Sequence, residues 1–432
     1  MNAKMKVIVV GAGIGGLAAA LRASAAGHQV TVIEARHDAG GLAGAVEAGG
    51  LRFDAGPYVL LDRPGLQWAF AQLGVELPPL ERVTGVVYEV SWPDGETLNV
   101  YDDVDRTARE LGPRYPEFVE RMTRRHAQLA PMLRIARPGP VALARHGGLT
   151  AVPFLLQSLE TVMRRSGLSP RAVEALTIWT HIAGQSPRSA PSAMALVPAL
   201  IHGYGAWVPR EGTSAIAAAL RDAAVARGVV FRHGLRVTAI VAGRGVKAGG
   251  EMIDADAVIS NHHAVGTYVD LLDVTPPRKR KRLQTLPLQS PGSCAYLRIA
   301  SISPRPYLRF RIGGALPCRL LVASGERGRL IVPNSDALDT ALEEPWWREG
   351  LAGADVVLRR TSREWGREYN LYRDSMNVVM TAQQMRRGRI AHRSPDAPGL
   401  YLAGSSTHPG QWISFCAISG VLAADALIED QR

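Results

Sequence analysis

Residues 7–36 read VIVVGAGIGGLAAALRASAAGHQVTVIEAR, from Val7 to Arg36. The apolar run 7–10 predicts a buried parallel strand, and 17–26 predicts a helix. A second apolar run, 30–33, predicts another strand that ends at Glu34. Between the first strand and the helix, Gly11, Gly13 and Gly16 have the G-x-G-x-x-G spacing. Gly11 allows the tight turn, Gly13 lets the backbone approach a pyrophosphate, and Gly16 lets the helix pack closely on the strand. The helix then points its free N–H groups and positive dipole end at the phosphates. Glu34 is placed to accept hydrogen bonds from the ribose hydroxyls of an adenosine. Strand before, helix after and acid at the end of the next strand together specify a dinucleotide site.

The chain has 432 residues, which predicts two intertwined domains. Its net charge of +11 suggests nucleic acid at first sight. The only lysines are Lys4, Lys6, Lys247, Lys279 and Lys281, and the arginines are scattered along the chain. That distribution excludes a nucleic-acid patch and leaves an anionic membrane surface as the candidate partner for the charge. The one cluster, RKRKR at 278–282, reads as a solvated helix start. Cys294, Cys318 and Cys416 have neither metal nor redox spacing, which fits a reducing cytoplasmic compartment. Lys4 and Lys6 before an apolar stretch imitate a signal peptide, but the nucleotide-binding glycines explain that stretch. No run of about 18 to 20 apolar residues predicts a spanning helix. The expected protein is cytoplasmic, soluble or peripheral at the inner face of the membrane.

A second glycine cluster, Gly40, Gly41 and Gly44, follows the first unit and leads to the turn Asp54-Ala55-Gly56-Pro57. From about 100 to 205 the pattern becomes helical, at 106–111, 117–132 and 152–165. The apolar stretch LTAVPFLLQSL (149–159) reads either as a core helix broken by Pro153 or as an amphipathic surface that meets lipid or an apolar substrate. Nucleotide-domain grammar returns at 205. Val208-Pro209-Arg210-Glu211-Gly212 leads into a helix at 214–227, with strands at 229–232, 235–241 and 257–260. Near the end, a strand at 399–402 runs into Ala403-Gly404, and a last helix is expected at 414–428.

Taken together these residues resemble the flavin-containing amine oxidase and phytoene desaturase superfamily, and within it the carotenoid-desaturase-like branch. The resemblance covers nearly the whole chain and is weakest at 100–200 and 300–365. Gly11, Gly13, Gly16 and Glu34 match the family's FAD fingerprint, and Glu34-Ala35-Arg36 with Gly40-Gly41 match its E-A-R…G-G extension. Phe53-Asp54-Ala55-Gly56-Pro57 resembles a turn that approaches the flavin, and 208–212 resembles the P-R-G-G segment. Val237 stands where a valine backbone holds the adenine. Ser260-Asn261 with Thr267-Tyr268 resembles the S-N-A…T-Y pattern, and LYLAGSSTHPG (400–410) resembles the desaturase ending, where Gly404 approaches the ribityl chain. Two departures stand out. Leu42 replaces the usual Arg or Lys after the paired glycines, so one pyrophosphate contact is either missing or supplied by another group, with Arg36 as the candidate. After THPG, residues 411–416 (QWISFC) replace a glycine-rich stretch, so Trp412 and Phe415 are expected to reshape the space beside the flavin ring.

The resemblance implies an α/β fold in which a Rossmann-like FAD-binding domain, from 1–100, 205–275 and 395–432, is interleaved with an α+β substrate domain, from 101–204 and 276–394. The implied cofactor-binding set is Gly11, Gly13, Ile14, Gly15, Gly16, Glu34, Ala35, Arg36, Gly40, Gly41, Leu42, Gly56, Pro57, Val237, Gly404, Trp412 and Ile413, with no metal. The implied activity is hydride removal from an apolar, isoprenoid- or polyene-like substrate. No second nicotinamide unit is present in the sequence, so electrons are expected to leave to oxygen or a quinone. An amine or amino-acid oxidase, a redox-neutral double-bond isomerase and a flavin-binding protein without turnover remain as alternatives. Against the amine oxidase, the candidate substrate segments hold only Lys279 and Lys281, in a charged run not expected to be buried. His408 is the weak candidate for taking the proton lost with hydride, against an imidazole bonded to turn backbone. His262 and His263 read as loop residues in preference to lining the domain junction.

Overall fold

The computed structural model describes residues 4–302 and 306–431. The hydrophobic runs read from the sequence assemble into a five-stranded parallel sheet. Its order is Leu400–Leu402, Ala257–Ser260, Lys6–Val10, Gln29–Ile33 and Val230–Arg232. Val7, Val9, Val30 and Val32 are buried because helices cover the sheet. The first helix, Ile14–Ala25, starts three residues before the expected position. Gly15 and Gly16 form its first turn because only glycine fits there. A Cβ on Gly15 would meet Gly404 Cα at 2.9 Å, and one on Gly16 would overlap the Gly11 carbonyl. The helix packs on Ser214–Ala226 and on the C-terminal helix Ile413–Glu429, where Gly420 lies against Gly15 and Ala18.

A second, seven-stranded sheet has the order Leu351–Arg360, Ser293–Ile302, Arg327–Val332, Cys318–Ser324, Leu308–Ile312, Val86–Ser91 and Thr97–Tyr101. The last two strands lie in or just across the end of the segment 1–100 expected in the FAD-binding domain, yet they pair here. Val86–Ser91 runs parallel to Leu308–Ile312, and the buried Arg309 donates to Glu89 at 3.2 Å across that pair. Helices between 104 and 204 cap this sheet. The helix expected over 152–165 is two pieces, Val152–Leu155 and Leu159–Arg164, because Ser158 caps the second by accepting from Thr161 N at 3.3 Å. The helix expected over 117–132 ends at Leu129 and tightens into the turn Ala130–Arg134, since Pro131 has no N–H to continue it.

The stretch 149–159 has two faces. Ala151 and Phe154 are buried, whereas Leu149 and Leu156 are each 51% exposed. The charged run at 278–282 differs from expectation at one residue. The Lys279 side chain is only 18% exposed, pairs with Asp396 and sits 3.6 Å from the Tyr268 ring centroid. No helix among the described residues is long and apolar enough to cross a membrane.

Candidate flavin cavity

A cavity of about 480 Å³ runs from the C-terminal ends of the parallel strands to the seven-stranded sheet, the crevice where open α/β sheets bind ligands. Every residue of the expected cofactor set lies on its wall except Gly16, which is packed beneath it. Glu34 is buried at the end of its strand. One carboxylate oxygen accepts from Ala12 N at 2.6 Å and the other from Arg36 N at 2.9 Å. It thereby joins the glycine turn to the next loop while keeping lone pairs for a ligand. Gly40 and Gly41 adopt positive φ, and a Cβ on Gly41 would lie 3.3 Å from Gly13 Cα.

Asn261 follows the strand Ala257–Ser260, and its carboxamide occupies the space beside three glycines. A Cβ on Gly13 would meet its Nδ2 at 2.8 Å, and one on Gly404 would meet its Oδ1 at 2.6 Å. The turn at 54–58 is held from the second sheet. Arg329 donates to the carbonyls of Asp54, Ala55 and Gly56 at 2.6, 2.7 and 2.6 Å, and Tyr307 donates to that of Tyr58 at 2.8 Å. The Asp54 carboxylate accepts from Thr213 N and Oγ1 at 2.6 and 2.9 Å, which joins the 208–212 segment to the same turn. Arg36 lies 3.9 Å above the Tyr369 ring, with an Nη atom 3.7 Å from Glu368. Trp365 and Tyr369, from a part expected to serve the substrate, therefore share the Arg36 wall.

Both His262 and His263 line the cavity, contrary to the loop reading. Burial pushes their pKa values down, to about 4 for His262, aided by Arg236, and to about 3 for His263. His263 Nδ1 accepts from Val265 N at 3.2 Å. His408 is absent from the wall, and its Nε2 donates to the Met132 carbonyl at 2.9 Å, which favours the imidazole bonded to backbone over the proton acceptor. Burial lowers its pKa to about 4. Trp412 lines the cavity, whereas Phe415 stacks behind it with ring centroids 5.0 Å apart and does not reach the wall. The wall also carries the apolar side chains of Leu60, Leu61, Trp179, Ile182 and Pro333. No lysine stands on it among the described residues.

A groove floored by glycines that cannot accept a Cβ, with a carboxylate at the strand end and a guanidinium beside it, fits a dinucleotide. Fold and cavity together define an oxidoreductase of the dinucleotide-binding class with a second sheet closing over the cofactor. The model of one family, described as flavin containing amine oxidoreductase, matches residues 14–264. The chain belongs to that family and is an FAD-dependent oxidoreductase. It is 26% identical to a hydroxyneurosporene desaturase of Rhodobacter capsulatus, with 100% of this chain and 99% of that protein covered. It is 30% identical to a lycopene-forming phytoene desaturase of a Paracoccus species over 65% of this chain and 58% of that protein. Among solved structures, putrescine oxidase bound to putrescine superposes with a TM-score of 0.69 at 16% identity, 99% of each chain being covered, and shows the shared fold alone.

Proposed function

We propose that this chain is an FAD-dependent desaturase that removes hydride from a C–H bond of an apolar, isoprenoid- or polyene-like substrate. The observation that carries this reading is the continuity of the cavity. One cavity is lined both by the glycine turn and by Leu60, Leu61, Trp179, Ile182 and Trp412. Flavin, when bound, supplies the hydride acceptor. The chain's own contribution is to hold a carbon in place and keep water out, which Trp179 and Trp412 serve as rigid apolar walls. The desaturase names of the full-length relatives support the same reading. Within it, Glu34 accepts from the ribose, Arg36 serves the diphosphate in place of the residue lost at Leu42, and the Val237 backbone meets the adenine. Oxygen or a quinone takes the electrons onward.

The membrane surface expected from the charge also has a candidate place. Val141, Leu149 and Leu156 are 73%, 51% and 51% exposed, and Arg134, Arg137 and Arg145 are exposed near them in the chain. Apolar side chains with neighbouring guanidiniums suit an anionic lipid interface. An apolar substrate partitioned in that interface would meet the protein there.

The test of the activity is anaerobic mixing of the yellow holoprotein with a polyene. Bleaching of the flavin absorbance is expected, with no bleaching by primary amines. Amines that bleach it while polyenes do not would reverse the assignment.

A further inference from the structure

Among the described residues, Glu34, Asp62 and Asp270 are the carboxylates on the cavity wall. Glu34 binds backbone at its strand end, and Asp270 is exposed. Asp62 is different. It follows Leu60 and Leu61, shares the wall with Leu66, and is only 7% exposed. It precedes the helix Arg63–Leu73, and its Oδ1 caps that helix by accepting from Gly65 N at 3.0 Å. The other oxygen, Oδ2, is buried and has no hydrogen-bond partner among the described residues. Capping therefore explains one oxygen and leaves the second without a task.

A buried acceptor of this kind is costly unless something satisfies it, and a proton does so. The helix that Asp62 caps packs on Ile413–Glu429, whose first residues Ile413 and Ser414 share the cavity wall with Trp412. The carboxylate thus stands beside the apolar side chains that would hold a substrate carbon. Burial pushes its pKa above the ordinary value. The Gly65 N–H, the Ser414 hydroxyl and Arg134, from the turn Ala130–Arg134, favour the charge and offset part of that rise. The result is a stronger base than a solvated carboxylate.

We propose that Asp62 is the base of the reaction and takes, on Oδ2, the proton that the substrate loses along with hydride. The C–H bond beside the hydride-donating carbon breaks, and its electron pair becomes the second bond of the new C=C. Its proton goes to Oδ2. The hydride, with its two electrons, leaves the neighbouring carbon for the flavin. This rests on the desaturase reading for the identity of the donor, but not for the exposure of Oδ2 to the cavity.

The first measurement is an infrared titration of the oxidised holoprotein. A carboxyl that titrates above the ordinary carboxylate range is expected in the native chain. It should be absent in Asp62→Asn, whose amide oxygen still caps Gly65. A saturated hydrocarbon that perturbs the flavin spectrum should raise that titration further, because it strips water from the charged form. The second measurement is single-turnover anaerobic bleaching by whichever donor reduces the native flavin. Asp62→Asn and Asp62→Ser should each slow it on the order of 100-fold or more, with FAD content unchanged. In the native chain the rate should fall towards acid with the midpoint of the infrared titration. A carboxyl indifferent to the bound hydrocarbon would overturn the proposal. If polyenes bleach Asp62→Asn as fast as the native protein, Asp62 is not the base and the desaturase reading stands. If amines alone bleach the native flavin and Asp62→Asn slows them, the desaturase reading fails and the base stands.

Discussion

Glu34 has two tasks at one carboxylate. It fixes the main chain at Ala12 and Arg36, and in the proposed site it accepts from a ribose. Glu34→Ala removes charged hydrogen bonds worth about 1.5–3 kcal/mol each, so the dissociation constant for FAD should rise roughly 10- to 100-fold. Titration of the apoprotein by flavin fluorescence reads this directly, and an unchanged constant would contradict the ribose role. Glu34, Gly13 and Gly404 were legible in the sequence because the requirement at each is local: a turn, a strand end, a missing side chain. Asn261, Arg329 and Tyr369 carried no such signal. Arg329 stands in a strand like several other arginines, and only folding sets it against the carbonyls of 54–56. Asn261 was visible within a motif, but its wedge between Gly13 and Gly404 depends on strands far apart in the chain. His262 and His263 were misread for the same reason. A loop histidine and a cavity histidine have the same neighbours in sequence.

At the scale of elements, the parallel strands and the helices flanking them were legible because their apolar runs and glycine stops are unbroken. The first helix and the C-terminal helix depend on each other. A Cβ on Gly420 would lie 2.7 Å from Ala18 Cβ and would also overlap the Gly15 carbonyl. Gly420→Val should therefore part the two helices at the first turn, with a stability loss of about 1–3 kcal/mol or more from overpacking. Thermal unfolding of the holoprotein measures the loss, and flavin content after gel filtration should fall with it because Gly15 lines the cavity. A variant with the stability and flavin content of the native chain would refute this packing argument. The strands Val86–Ser91 and Thr97–Tyr101 were harder to allocate. Their alternation shows strands, but nothing local shows that Leu308–Ile312 will pair with the first of them more than 200 residues away. The break between Leu155 and Leu159 was hidden similarly, since apolar spacing continues through the cap at Ser158.

For the whole molecule, the charge of +11 acts at long range and the exposed leucines act only on contact. Flotation with anionic liposomes should thus occur at low salt and weaken as salt screens the attraction. Leu149→Asp with Leu156→Asp should abolish it, and a native protein that does not float at low salt would remove the lipid proposal. The order of the parallel sheet has a different consequence, which concerns synthesis. Its edge strand, Leu400–Leu402, lies beside Ala257–Ser260, and the Gly404 that follows completes the packing around Asn261 and Gly15. At roughly 5–20 residues per second, a ribosome exposes the first glycine turn some tens of seconds before the strand and helix that close over it. During that interval the side of the first helix that meets Ile413–Glu429 has no partner. The nascent chain is expected to retain its flavin only after the helix Ile413–Glu429 has been translated.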